Sequence, residues 1–352
     1  MASYWGKVKE VTAAFAPRSY ICKKAAYPLT ELDGNLDKEF WADAPWSELF
    51  EDIEDTSCLI EGGAPAPRPR PRKDTRMKMK WDENYLYVGA KLYEDEIWAY
   101  QTERDSIIFF DNDFEVFIDM DGDTHLYYEF EMNARNTVWD LLLPKPYRDG
   151  APAMNSFDYQ GLKTAVYIDG KLNDPTAENK FWSVEIAFPM EVLHQCASDN
   201  VAKVGNYWRI DFSRVEWLAE VKDGKYSRVI NPETGRPYPE DNWIWSPTGI
   251  VDMHCPERWG FLVFADENGA EEFTVPRDEY IKWELRKLYY RERNLFTETG
   301  KFTADLDSLK GEDTWTIEPQ IMVSPTEFDI WTKSADGTAD WHIRTDGLVY
   351  KF

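Results

Sequence analysis

The sequence predicts a mainly β protein: an antiparallel β-sandwich over residues 1–268, then a small α+β appendage over residues 269–352. Three observations carry this. Apolar residues alternate with polar ones in many short segments between residues 76 and 264, the period of a half-buried strand. Those segments are punctuated by turn residues, with no helical repeat between them, which fits a sandwich or barrel. Past residue 270 the period becomes helical.

Composition narrows the function classes. The chain has 352 residues, a hydrophobic fraction of 43% and a net charge of −25. That hydrophobic fraction suits a packed protein rather than a disordered one. No uncharged apolar run reaches the roughly 18 residues of a membrane helix. The acidity argues against nucleic acid or an anionic membrane as partner, since both repel a negative surface. Cys22, Cys58, Cys196 and Cys255 are scattered and form no zinc-type pair. The first residues lack the apolar core of a signal peptide, and no Asn-x-Ser/Thr sequon occurs. An intracellular protein is expected, or a secreted or periplasmic one whose leader has been trimmed.

The elements follow in order. Residues 1–60 are loosely patterned, with a turn-rich Leu32-Asp33-Gly34-Asn35-Leu36-Asp37 before Phe40-Trp41. Residues 62–73 alternate proline with arginine; such spacing forbids helix and central strand and predicts an exposed polyproline-like loop. A docking segment for an acidic partner is its functional alternative. Residues 76–81 and 85–90 form a hairpin about Asp82-Glu83-Asn84. Residues 114–119 put Phe114, Val116 and Ile118 on one face and Glu115, Phe117 and Asp119 on the other. After Asp121-Gly122, a hairpin turn signal, residues 125–133 alternate Leu126, Tyr128, Phe130 and Met132 against His125, Tyr127, Glu129, Glu131 and Asn133. Further strands are expected at 138–143, 162–168, 181–188, 208–214 and 260–264. From 277 to 293, Ile281, Leu285, Leu288 and Tyr289 have helical spacing, with Pro276 before them and Asp278 and Glu279 in the first turn, where the helix dipole favours acids. A short helix at 304–309 and β-prone stretches at 314–323 and 341–350 complete the appendage.

Five segments carry a family resemblance. Leu32-Asp33-Gly34 with Trp41, Met79 through Val88, Glu115-Val116-Phe117-Ile118-Asp119, Phe130-Glu131-Met132-Asn133 and Pro256-Glu257-Arg258-Trp259-Gly260 together resemble a family 9 carbohydrate-binding module, a β-sandwich related to DOMON-type domains. The likeness spans roughly residues 28–266. It implies sugar binding between aromatic rings, commonly at chain ends, and structural calcium is known among members. The family's first stacking Trp, just before the Glu-x-Phe-Ile-Asp strand, is replaced here by Phe109 or Phe110. Its second, just before the last strand, falls on the stretch holding Met253 and His254. Its ligand-binding Arg stands here as Glu131.

The residues themselves suggest a sugar site. An aromatic face packs on the C–H face of a sugar, and polar groups then read the hydroxyls. Trp98, Trp139, Trp243 and Trp245 lie near such groups, and Trp243 and Trp245 would share a strand face; core packing is the plainer reading of each. Glu129, Glu131 and Asn133 on one strand, beside Arg209, Asp211 and Ser213 on another, would make a hydrogen-bonding floor; a solvated outer face is the alternative. Arg214 and Glu216 flank Val215 as a candidate buried pair. The expected carbohydrate-binding residues are Phe110, Glu131, Asn133, Trp139, Asp211, Arg214, Trp243, Trp245 and His254. Asp119, Asp121 and Asp123 around Gly122 suit calcium, although an acidic turn needs no ion. The reading requires no cofactor.

Non-catalytic binding of a neutral oligosaccharide or glycan end is therefore the leading expectation. A protein-interaction module on the same sandwich is the second. A glycoside hydrolase using Glu129 and Glu131 is the third. No nucleotide, metalloprotease or serine-hydrolase motif occurs.

Overall fold

The computed structural model describes residues 17–54, 70–269, 272–310 and 314–352. Cys58 and residues 62–69 of the Pro/Arg-rich loop lie outside them. In chain order the strands of the first part are β1 (Ser19–Lys24), β2 (Glu51–Asp52), β3 (Thr75–Trp81), β4 (Tyr85–Tyr93), β5 (Asp113–Asp119), β6 (Tyr127–Asn133), β7 (Val138–Leu143), β8 (Lys163–Asp169), β9 (Phe181–Pro189), β10 (Tyr207–Glu216), β11 (Ala219–Lys222), β12 (Lys225–Arg228), β13 (Asp241–Ile244) and β14 (Gly260–Ala265). One helical turn, α1 (Met190–Leu193), follows β9.

All but β11 and β12 belong to one curled sheet, whose main path runs β7-β6-β5-β10-β14-β1-β3-β4-β9-β8. Its two halves fold over one another. Phe114, Val116 and Ile118 from β5, Phe130 from β6 and Ile210 and Phe212 from β10 share one core with Met77 and Met79 from β3, Val88 from β4 and Val184 and Ile186 from β9. The fold is thus a mainly β, sandwich-like structure. Strand β1 joins the halves, pairing in parallel with both β14 and β3; the expectation was antiparallel throughout. Tyr20 and Cys22 supply its inward side chains, too few to reveal a strand in a charged stretch.

The turn before β4 shows why the hairpin forms. Asp82 Oδ1 accepts from the backbone N–H of Asn84 at 2.7 Å and of Tyr85 at 2.8 Å, an Asx turn that reverses the chain without a glycine. The register then pairs Trp81 with Leu86 and Met79 with Val88.

The C-terminal part holds the long helix α2 (Arg277–Thr299), the short α3 (Leu306–Lys310) and a four-stranded antiparallel sheet, β15 (Gln320–Val323), β16 (Phe328–Lys333), β17 (Asp340–Arg344) and β18 (Val349–Lys351). Helix α2 ends where Gly300 takes φ +72°, donating its N–H to the Phe296 carbonyl at 2.8 Å, the usual left-handed stop. The helix works on two sides. Leu285, Leu288 and Tyr289 pack with Phe328, Ile330, Ile343 and Val349. Trp283 packs on Phe261 and Val263 of β14. Polar groups lock the second contact: Tyr207 donates to Glu279 at 2.9 Å, Arg209 pairs with Glu279 at 3.3 Å and the Trp283 indole N–H donates to the Glu257 carbonyl at 3.1 Å. Among the described residues no helix is long and apolar enough to cross a membrane, and no disulfide joins Cys22, Cys196 or Cys255.

Two stability outcomes follow. Leu285 is fully buried, so Leu285→Ala should lower unfolding free energy by about 2–5 kcal/mol in denaturant titration. Burial pushes the Glu292 carboxyl up to about 7, against the opposing backbone N–H of Thr303. An unfolded Glu titrates near ~4.3, so the neutral folded form is favoured at low pH. That advantage is lost as pH rises from about 4.3 through 7. Glu292→Gln should therefore gain stability over wild type across that window and nothing below it.

Candidate functional site

Period two along β5 and β6 turns Asp113, Glu115 and Phe117, and Glu129, Glu131 and Asn133, away from the main core. That second face is not solvated. All six residues are buried, covered by chain between strands: the 3₁₀ turn Ile108–Phe110, the 3₁₀ turn Tyr147–Asp149 and the segment holding Val251 to His254. Where the cover is incomplete a cleft of about 360 Å³ remains. Glu115, Glu129, Glu131 and Phe117 are among its floor residues; Phe109, Trp139, Tyr147, Met253 and His254 line it around them.

The aromatic groups are fixed by their neighbours. Phe109 and Trp139 lie nearly parallel, with centroids 6.5 Å apart and planes at 24°. Tyr147 meets the His254 ring edge-on at 4.5 Å. His254 Nδ1 shares a hydrogen bond of 2.9 Å with the Tyr127 hydroxyl. Burial pushes His254 down to about 4, so the ring is neutral at physiological pH. The Trp139 indole N–H is buried without a partner, a donor available to a ligand hydroxyl.

The floor is electrostatically unusual. Glu115 stands directly opposite Glu131 in the β5–β6 register, a like-charge pair that opposes the ladder. Burial, and then Glu240, push Glu115 up to about 7, against the opposing effect of the nearby Ser213 hydroxyl. Burial followed by neighbouring carboxylates pushes Asp113, Glu129 and Glu131 well above the ordinary range.

The structure brings three expected site residues, Glu131, Trp139 and His254, into this one cleft. Phe110 lies next door: its ring contacts Phe109 edge-on at 5.3 Å, but it lines a second groove with Trp98, Tyr100 and Tyr226. Five expectations are corrected. Trp243 and Trp245 do share a face, but it is the core face, and both are fully buried; their N–H groups donate to Glu216 at 2.5 Å and Glu48 at 3.1 Å. Asn133 uses its amide on Gln101 and Asp111 and accepts from the N–H of Arg135 and Thr137, fixing a turn. Asp211 is buried and receives the Ser246 and Phe212 N–H groups. Arg214 is buried against Glu94, Thr75 and Glu216, the structural pair anticipated around Val215 with Glu94 added.

Phe109, Glu115, Glu129 and Tyr147 complete the cleft beyond the expected set. Phe109 is the chain neighbour of the expected Phe110, and Glu115 and Glu129 follow from period two and register. Tyr147 sits in a Pro-rich connection and gives no signal of its own.

The hairpin Asp119/Asp121/Asp123 brings carboxylate oxygens within 4.8 Å of one another. Asp119 accepts from the N–H of Gly122 and Thr124, both at 2.9 Å, and Asp123 from that of His125 at 2.6 Å. Ser198 donates to Asp121 at 2.7 Å. Lys282 and Arg286 of α2 oppose the burial that raises Asp123 to about 7. The turn's own amides and the helix cations thus serve much of this charge.

Residues 32–141 match the family model described as carbohydrate family 9 binding domain-like. Over that span the chain is family 9-like. The matched region contains Phe109, Glu115, Glu129, Glu131 and Trp139; Tyr147 and His254 lie beyond it. Among solved structures, a candidate carbohydrate-binding protein from Bacteroides uniformis is 13% identical, covering 71% of this chain and all of its own, with a TM-score of 0.48. A family 9 module from Caldicellulosiruptor kristjanssonii in complex with cellotriose is also 13% identical, covering 74% of this chain and 100% of that one, with a TM-score of 0.42. The module from the same organism with glucose is 13% identical, covering 72% and 98%, with a TM-score of 0.39. No curated protein sequence matches the chain.

The placement of Trp245 has a direct consequence. As a core ring, its truncation to Ala should cost about 3–5 kcal/mol of unfolding free energy. A ring serving only a ligand would leave the denaturation midpoint unchanged.

Proposed function

We propose that this family 9-like protein binds carbohydrate without catalysis, in the cleft between Phe109, Trp139, Tyr147 and His254. The observation that carries this is the joining of rings and fixed polar groups in one cavity of about 360 Å³, mostly within the region that matches a carbohydrate-binding family. Rings take the C–H face of a sugar, and the carboxylates and the Trp139 N–H take its hydroxyls. A net charge of −25 and a carboxyl-lined floor disfavour acidic polysaccharides and favour neutral or cationic ones. Nothing here divides the labour of a glycosidase. Such sites push two carboxyls apart in pKa, whereas Glu115, Glu129 and Glu131 are all raised.

Titration with glucose and cellotriose, followed by tryptophan emission, tests the reading. Trp139→Ala should weaken binding by about 5- to 150-fold, the ~1–3 kcal/mol of a buried interface aromatic, with an unchanged fold by circular dichroism. If no neutral saccharide perturbs the emission, or Trp139→Ala binds as wild type, the interaction-module reading replaces this one.

A further inference from the structure

The 3₁₀ turn Ile108–Phe110 serves two cavities. Phe109 lines the carboxyl-floored cleft, while Phe110 lines a separate groove of about 380 Å³, and the two share no lining residue. Phe110, Trp98, Tyr100 and Tyr226 put four rings into that groove. The rings are fixed by one another: Trp98 and Tyr100 have centroids 5.7 Å apart, and the Tyr100 hydroxyl donates across to the Tyr226 carbonyl at 3.1 Å. The far side comes from the hairpin β11–β12 and the segment after it, where Ile230 bridges to Pro237. That side lies beyond residues 32–141, the span that matches the carbohydrate-binding family, and the hairpin stands outside the curled sheet.

Three polar groups of this lining have no partner among the described residues. Trp98 is 3% exposed, and its indole N–H is buried unpaired; the Ser227 hydroxyl is buried unpaired as well. Arg228 is the third. Its guanidinium lies 4.5 Å from the Trp217 ring centroid and 5.3 Å from that of Phe110, with no carboxylate at ion-pair distance among the described residues. Trp217 is itself held, its backbone N–H donating to the Asn112 side chain at 2.9 Å and its indole N–H to the Phe109 carbonyl at 2.8 Å. Packing on rings orients the planar guanidinium without neutralising it. Buried donors are ordinarily satisfied, and a guanidinium fork matches a carboxylate with two parallel hydrogen bonds. The one acid in the lining, Asp111, is already engaged: its Oδ2 accepts from the N–H of Tyr100 and Gln101, both at 2.8 Å, and from the Asn133 amide at 3.0 Å.

These groups select among ligands. Rings take the C–H face of a sugar, the unpaired indole and hydroxyl donate to its oxygens, and the guanidinium takes a carboxylate. An aromatic acid would use the rings and Arg228 but leave the Trp98 and Ser227 donors unsatisfied. We propose that this groove is a second binding site, selective for a single hexuronate residue whose carboxylate pairs with Arg228 and whose oxygens accept from Trp98 and Ser227. The site is independent of sugar binding in the cleft. One carboxylate on an otherwise neutral glycan meets the net charge of −25 far more weakly than a polyanion does, because repulsion grows with the charge of the ligand.

The test titrates the full chain calorimetrically with methyl glucuronide, the methyl ester of that glycoside, methyl glucoside and ferulate. The uronide should bind, and its ester and the glucoside about 10-fold or more weakly, the loss of a hydrogen-bonded charge. Added salt should weaken the uronide and leave the ester unchanged. Arg228→Gln should bind the uronide about 10-fold or more weakly and no longer distinguish it from the ester. Arg228→Lys, which keeps the charge and loses the fork, should fall between. Both variants should hold cellotriose as wild type does, and cellotriose should not displace the uronide. Should Arg228→Gln fail to fold, uronide against ester on wild type decides the matter. The proposal is overturned if wild type binds the ester as tightly as the uronide, or if Arg228→Gln binds the uronide as wild type does. It is equally overturned if cellotriose displaces the uronide, or if ferulate binds more tightly than the uronide. A chain that binds the uronide by these criteria but no neutral saccharide would keep this site and lose the cleft reading.

Discussion

Strands β5 and β6 are buried on both faces, and the functional anatomy depends on that constraint. Their apolar face, with Phe114, Val116, Ile118, Phe130 and Met132, fills the space between the halves of the curled sheet. Their other face carries Asp113, Glu115, Glu129 and Glu131, and among its described residues the chain lays no second sheet over it. It uses loops instead. Loop cover is irregular and cannot seal a strand face as a sheet does, so a cleft is left over the carboxylates. The aromatics that line it come from the covering turns and from the sheet's edge: Phe109 and Tyr147 from 3₁₀ turns, Trp139 from β7. A site of this type combines precise strand-borne polar groups with adaptable loop-borne rings, the division expected where function sits on a rigid scaffold.

The cost of burying charge is met differently in different places. At the junction with α2, paired ions do it: Arg209 with Glu279 and Arg148 with Glu257. The Arg148 and Arg286 guanidiniums hold Glu257 down to about 2 against its burial. Removing one member of such a pair would strand the other in a dry environment, which is worse than never having had the pair. This makes α2 a clamp rather than a passing neighbour, since it seats Trp283 on β14 while its opposite side builds the core of the small sheet. At the cleft floor the same chemistry is absent, and the opposed Glu115 and Glu131 remain a local weakness in an otherwise regular ladder. Stability elsewhere, chiefly the large aromatic core, sustains that weakness, as functional sites commonly require.

The fold was largely legible because most strands alternate cleanly. The hairpin about Asp82, β7 at Val138–Leu143, and helix α2 with its Pro276 start all lie close to where periodicity puts them. What escaped is short or locally weak: β1, which owes its existence to two long-range partners, and β16, whose inward residues Phe328, Ile330 and Thr332 sit in a charged stretch. The site was legible in part. Alternation places Glu129 and Glu131 on one face but is silent on whether that face is wet. A strand with one face in the core normally shows polar residues to water, and only long-range loop packing reverses that here. The same ambiguity misplaced Trp243 and Trp245: two rings on one face, in a segment rich in turn residues, look alike whether they face a ligand or the core.

Position within the chain proved a better guide to the cleft than residue type. The two linear places where the resembling family carries stacking tryptophans hold Phe109 and Phe110, and Met253 and His254, and the cleft is lined by Phe109 from the first and by both residues of the second. The chain has tryptophans in plenty, yet the most conspicuous ones are spent on the core. Two smaller groups thus meet at the site, one a plain phenyl and one an imidazole held neutral by burial. Both present less apolar face than an indole, so the cleft has a smaller stacking area to offer. No Lys or Arg lines its carboxyl floor among the described residues. Beside its rings, the cleft offers a ligand the carboxyl groups of Glu115 and Glu131, which favour a hydrogen-donating group. On the proposed sugar-binding reading, the polar face of the ligand is read at the carboxylate floor while the rings take its C–H face.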